Sequence, residues 1–194
     1  MSEISKKIDE IIKIGIAPLL KGHGFKKKAR NFYRSFDDRV DIINVQASRY
    51  NEGTKGEFTI NLGVYFPAIA EITEAIPVKG IPKEYNCTVR KRIGGVLDDR
   101  QDIWWSVDTA TNLEEVAFEL ATKVENFCLP WLEEMSTIDN VKNQVSKNMP
   151  FIAAGISLMQ GEKVDAKNYL EACIKKKPTA KSQSIAWGKK HGLI

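Results

Sequence analysis

The stretch Glu57-Phe58-Thr59-Ile60-Asn61-Leu62-Gly63-Val64-Tyr65-Phe66 alternates without a break. Phe58, Ile60, Leu62, Val64 and Phe66 share one face, and Thr59, Asn61, Gly63 and Tyr65 share the other. A period of two with one apolar and one polar face predicts a half-buried strand of an antiparallel sheet. The segment before it repeats the pattern, with Ile43, Val45 and Ala47 on one side and Asn44, Gln46 and Ser48 on the other. Asn is depleted in strands, so a face of short neutral amides and hydroxyls predicts a surface selected for hydrogen bonding.

Working outward, Phe32 to Phe36, the pair Asp37-Asp38 and Val40 to Arg49 read as a β-hairpin, and the loop Tyr50 to Gly56 leads into the deciding strand. Tyr85 to Arg92 alternates again, which places Tyr85, Cys87 and Val89 inward and Asn86, Thr88, Arg90 and Arg92 outward. In Ile103-Trp104-Trp105-Ser106-Val107, alternation sends Ile103, Trp105 and Val107 to the core and Trp104 to the polar side. Turns are expected at Gly94-Gly95 and Asp98-Asp99.

Before the sheet, Ile4, Ile8, Ile11, Ile12 and Leu19 recur at helical spacing up to Gly22, with a kink or early end expected at Pro18. Ile69 to Ile76 predicts a short helix. Asn112 with Glu115 three residues on is a capping-box pattern, followed by Val116, Leu120, Val124 and Phe127 as a buried stripe, and Pro130 should kink or end that helix. After Ser136 the chain reads as helical: Ala153 to Glu162 and Ala166 to Pro178 resemble one tetratricopeptide-type hairpin, with a last helix around Ile185 to Lys190. One such hairpin cannot form a solenoid alone and must dock on the domain, on another chain or on the last helix.

A chain of 194 residues with 43% hydrophobic and 28% charged content has the composition of a folded domain. No segment reaches the roughly 20 apolar residues of a membrane helix, and Met1 to Lys7 lacks an apolar leader, so the expectation is a cytoplasmic protein without membrane contact. Cys87, Cys128 and Cys173 are odd in number and set among apolar neighbours, which reads as reduced core thiols. With only His23 and His191 to add, no metal site and no cofactor are expected. The net charge of +4 is unevenly spread: +5 over residues 1–30, −7 over 31–138 and +6 over 139–194. Any nucleic-acid role would therefore fall to the basic ends, where Lys26-Lys27-Lys28 otherwise reads as a solvated turn and Lys175-Lys176-Lys177 as cations at a helix C-terminus.

The candidate ligand-binding residues are Asn44, Gln46, Ser48, Asn61, Tyr65, Arg90, Arg92 and Trp104, with Thr59 beside them. Amides, hydroxyls and arginine forks on one sheet face fit an anionic or peptide-like ligand, with Trp104 as a stacking wall. The alternative is a face whose amides satisfy one another. No catalytic residues are expected: Asp37-Asp38 and Asp98-Asp99 fall at turns, and no phosphate loop, dinucleotide fingerprint or nucleophile elbow is present. The expected function is a non-catalytic module for a protein or peptide partner. Nucleic-acid binding through the basic termini is one alternative, and an enzyme with a spatially assembled thiol or carboxylate site is another.

Phe25 to Phe36, Ile43 to Ser48, Phe58 to Tyr65, Tyr85 to Gly94, Trp104-Trp105 and Leu129-Pro130-Trp131-Leu132, in that order, resemble the bacterial family called domain of unknown function 4304 over residues 8–135. The resemblance implies a fold unit and a bacterial source, with no established activity. The expectation is thus an α+β domain over residues 1–136, an antiparallel sheet of four or five strands packed against helices, followed by a small helical C-terminal subdomain over 137–194.

Overall fold

Two helices open the chain, α1 (Glu3–Ile14) and α2 (Ile16–Gly22). The structure, a computed structural model, describes residues 2–97, 101–176, 179 and 181–194, so the expected Asp98-Asp99 turn, Lys177 and Pro178 lie outside it. Ser2 caps α1 by accepting the Ser5 amide at 3.2 Å, and Ile4, Ile8, Ile11 and Ile12 form its buried stripe. The break falls at Gly15 rather than at Pro18 itself. Pro18 has no N–H for the Ile14 carbonyl, and its ring crowds that group, so the ladder fails one turn upstream. Gly15 is also a point of close approach: a Cβ there would stand 2.7 Å from the Ala117 carbonyl oxygen of the facing helix α4 (Leu113–Lys123).

Six strands follow: β1 (Lys26–Lys28), β2 (Asn31–Ser35), β3 (Val40–Ala47), β4 (Gly56–Tyr65), β5 (Val89–Arg92) and β6 (Trp105–Val107). All pairings are antiparallel in the order β1-β2-β3-β4-β5, and β6 joins β4 at Gly56 to Phe58, end to end with β5. The hairpin expected around Asp37-Asp38 forms, closed by Phe36 N–H to the Arg39 carbonyl at 2.8 Å. Lys26 to Lys28, read from the sequence as a turn, is an edge strand whose side chains all face solvent, a placement that blunts a sheet edge.

The apolar face buries Phe32, Ile43, Val45, Phe58, Ile60, Leu62 and Val64 in one cluster with the isoleucines of α1, Leu20 of α2 and Leu120 of α4. Trp105 reaches the same cluster and stacks on Phe58, ring centroids 5.5 Å apart. Asn112 caps α4 by accepting the Glu114 and Glu115 amides. Before Pro130 the helix widens to a π turn over Val124–Cys128, with Leu129 N–H on the Val124 carbonyl, and resumes as α5 (Leu129–Glu134). The wider turn absorbs the donor that proline lacks.

The polar face is more covered than a half-buried strand implies. Thr59 is 0% exposed and gives its hydroxyl to the Ile103 carbonyl at 2.7 Å. A one-turn 3₁₀ helix, Glu84–Asn86, lies against β3 and β4 and brings Cys87 onto the face, where it fills the space that Gly63 leaves open. This overturns two expectations, since the alternation read from Tyr85 starts only at Val89. Tyr85 is 61% exposed rather than inward, and Cys87 sits on the polar side of the sheet.

Helix α3 (Pro67–Ile72) and helices α6 (Ile138–Val145), α7 (Pro150–Met159), α8 (Lys163–Lys176) and α9 (Lys181–Lys190) complete the chain. The α7–α8 hairpin turns at Gly161, whose φ of +78° is the left-handed conformation glycine accepts freely. It docks both on the domain and on the last helix. Gly155 of α7 lies against Ile72 and Thr73, Val141, Val145, Ala153 and Ile156 join the main core, and Ala154, Ala166, Leu170, Trp187 and Leu193 form a second cluster. Among the described residues, no helix is long and apolar enough to cross a membrane.

Candidate functional site

Register places Lys28 opposite Asn31, Asn31 opposite Asn44, Asn44 opposite Asn61, and Asn61 opposite Arg92. One straight row therefore crosses five strands on the polar face, roughly 19 Å at the usual strand spacing, with a cation at each end. Its hydrogen bonds run in one direction. Arg92 Nε donates to Asn61 Oδ1 at a long 3.5 Å, Asn61 Nδ2 to Asn44 Oδ1 at 3.2 Å, and Asn44 Nδ2 to Asn31 Oδ1 at 2.9 Å. Asn61 Nδ2 also donates to Gln46 Oε1 at 2.8 Å. Only 9% exposed, Asn61 is the hub of this branched relay.

The relay decides which atoms meet solvent. Each amide in it spends its carbonyl on a neighbour, so the branches end in –NH₂ groups, Gln46 Nε2 on one side and Asn31 Nδ2 on the other. Gln46 lines a cleft of about 290 Å³ with Asn61, Glu84, Arg90 and Arg92. Asn31 lines a separate cleft of about 360 Å³ beneath the loop Lys79 to Lys83.

In the first cleft, Arg92 is held at two points. Its Nη1 lies 2.8 Å from Asp102 Oδ2, which also accepts Trp104 Nε1 at 3.1 Å, and its guanidinium stands 5.1 Å from the Trp104 ring centroid. Trp104 is therefore on the polar side, as alternation predicted, and the structure sets it beside Arg92. Arg90 is held less firmly. Its Nη1 is 3.5 Å from Glu84 Oε2, in ion-pair range without hydrogen-bond geometry, and that oxygen is shut from solvent with no donor. Arg90 keeps 58% of its side chain exposed.

Of the residues singled out from the sequence, the fold brings together Asn44, Gln46, Asn61, Arg90, Arg92 and Trp104. Two stand apart. Ser48 lies past the end of β3, accepts the Tyr50 amide at 3.3 Å and lines another cleft with Tyr50 and Asn51. Tyr65 pairs with Val40 at the far end of β4. Sequence reading missed Asn31, Glu84 and Asp102. Asn31 was within reach, because closing the hairpin at Asp37-Asp38 and counting back puts residue 31 opposite residue 44. Glu84 and Asp102 lie in irregular segments that give no periodic signal.

The family model described as Domain of unknown function (DUF4304) matches residues 16–134. The chain belongs to this family. The DUF4304 region runs from the first residue of α2 to the last of α5, so it holds the whole sheet and both clefts, while α1 and α6 to α9 lie outside it. No curated protein and no solved structure matches the chain.

What the DUF4304 face can do chemically follows from its groups. The first cleft sets donors (Gln46 Nε2, Arg90, Arg92) beside the Glu84 carboxylate, and Asp102 and the Trp104 indole stand next to it against Arg92. Thiol chemistry is disfavoured at Cys87 and Cys128, where burial raises the thiol pKa, with Glu84 adding to the rise at Cys87.

Proposed function

We infer that the chain is a non-catalytic binding module which holds an extended peptide segment of a partner protein in the cleft lined by Gln46, Arg90 and Arg92, beside Trp104. The observation that carries this reading is the relay through Asn61. It turns a row of self-satisfying amides into a rigid base and leaves Gln46 Nε2 and the loosely paired Arg90 as outward donors. A peptide offers a carbonyl acceptor and an amide donor at every residue, which suits a cleft with donors and carboxylates side by side. Pre-organisation lowers the ordering cost on binding, since Gln46 and Arg92 are already fixed by Asn61 and Asp102.

The test is selection of displayed random peptides on the full-length protein, followed by counter-selection on Arg90→Ala. Enrichment of peptides that bind the unaltered protein and lose the variant supports the reading. Failure to enrich any, or retention by nucleic acid alone, overturns it.

A further inference from the structure

The second cleft differs from the first in kind. Lys28 from β1 and Lys79 and Lys83 from the overhanging loop line it, with Asn31 and Tyr33 from β2, and Lys26 lies on the same face opposite Tyr33. Among the described residues, none of these four lysines makes an ion pair, whereas Arg90 and Arg92 in the first cleft each face a carboxylate. Asn31 has its carbonyl occupied by Asn44, so it offers the cleft only its –NH₂ group. Lys83 Nζ lies 5.7 Å from the Tyr85 ring centroid, a contact that steadies the side chain and leaves its charge uncompensated.

Side-chain donors thus reach this cleft from three directions: ammonium groups from an edge strand, ammonium groups from a loop, and the terminal amide of a relay. That relay begins at the cationic Arg92, and hydrogen-bond chains polarise in the direction of donation, so the Asn31 –NH₂ is a stronger donor than an isolated amide. A cleft without a carboxylate in its lining that gathers lysines outside any ion pair matches a ligand made of acceptors and carrying more than one negative charge.

We propose that the cleft between β1–β2 and the loop Lys79 to Lys83 is a phosphate-binding site, in which Lys28, Lys79 and Lys83 neutralise the dianion and Asn31 Nδ2 donates to one of its oxygens. Tyr33 and the partly exposed Ile81 provide an apolar flank for whatever body the phosphate carries. The site does not depend on the peptide reading of the neighbouring cleft.

The experiment is a titration of the full-length ¹⁵N-labelled protein with inorganic phosphate and with phenyl phosphate, at constant ionic strength against chloride, following the Asn31 side-chain –NH₂ resonances. Phosphate should move them saturably. Lys79→Gln and Lys83→Gln, at two exposed lysines, should each weaken binding on the order of tenfold, and Arg90→Ala should leave it unchanged. Equal affinity for the two probes assigns the site to free phosphate, and tighter phenyl phosphate assigns it to a phosphomonoester. A response no different from chloride, or one that survives the triple Lys28→Gln, Lys79→Gln, Lys83→Gln change, overturns the proposal.

Discussion

Trp187, in the last helix, donates its indole N–H to the backbone carbonyl of Ile72 across 2.7 Å, a contact between residues 115 apart. It joins the helical tail to the end of α3, inside the family region, and Lys190 pairs with Glu74 beside it. The indole is 2% exposed and packs edge-on against Phe151. The tail is therefore seated on the sheet domain through a directed hydrogen bond as well as through apolar surface.

Trp187→Phe keeps most of the packing and removes the donor, which leaves the Ile72 carbonyl without this partner. Denaturant unfolding should show a loss of about 1–3 kcal/mol, the cost of an unsatisfied buried acceptor. A variant as stable as the parent would mean that the contact contributes nothing.

Gly63→Ala probes the close seat of Cys87 on the sheet. An added Cβ would stand 2.5 Å from Cys87 Sγ, so the loop from Glu84 must shift, at about 1–3 kcal/mol. Cys87→Ala in the same chain should recover part of that loss in a thermal unfolding series. No recovery would place the strain elsewhere.

Asp41 makes a pH-dependent prediction. It is fully buried on the apolar side of β3, with Arg34 Nη2 at 2.9 Å and Arg39 Nε at 3.3 Å. Burial raises its pKa above the usual carboxylate value, and the two arginines oppose that rise without cancelling it. A raised folded pKa means the native state holds this proton more tightly than the unfolded chain. Its effect on stability is therefore most favourable below the unfolded value and diminishes as pH rises through the folded one. The stability difference between the unaltered protein and Asp41→Asn should fall with rising pH in the acid range. A difference that grows instead would show that the arginines prevail.

The buried thiols give a simpler check. With Cys87 and Cys128 raised by burial, the native protein should react only slowly with a thiol reagent at neutral pH and fully once unfolded. A fast stoichiometric reaction in the native state would revive a thiol-centred enzyme.

Much of the fold was legible because it is written in periods. The alternation from Phe58 to Phe66, the isoleucine stripe of α1 and the Asn112 cap all reappear in the structure. What was not legible depends on tertiary partners. Lys26 to Lys28 has no period that separates an edge strand from a turn, and Tyr85 falls in a 3₁₀ turn that looks like strand when read alone. At the candidate site, the amide row was visible as composition, and its direction was not. That direction depends on Asp102 fixing Arg92 and on Asn31 standing opposite Asn44, which are relations between segments.

The most direct test of the peptide-binding account is a calorimetric titration of the tightest display-selected peptide into the unaltered protein and into Arg90→Ala. Arg90 is mostly exposed and meets Glu84 of the 3₁₀ turn only in ion-pair range, so its loss should lower the melting temperature by no more than a few degrees. It should weaken the peptide roughly ten- to a hundredfold, the equivalent of one charge-assisted hydrogen bond. Equal affinity for both proteins would contradict the account.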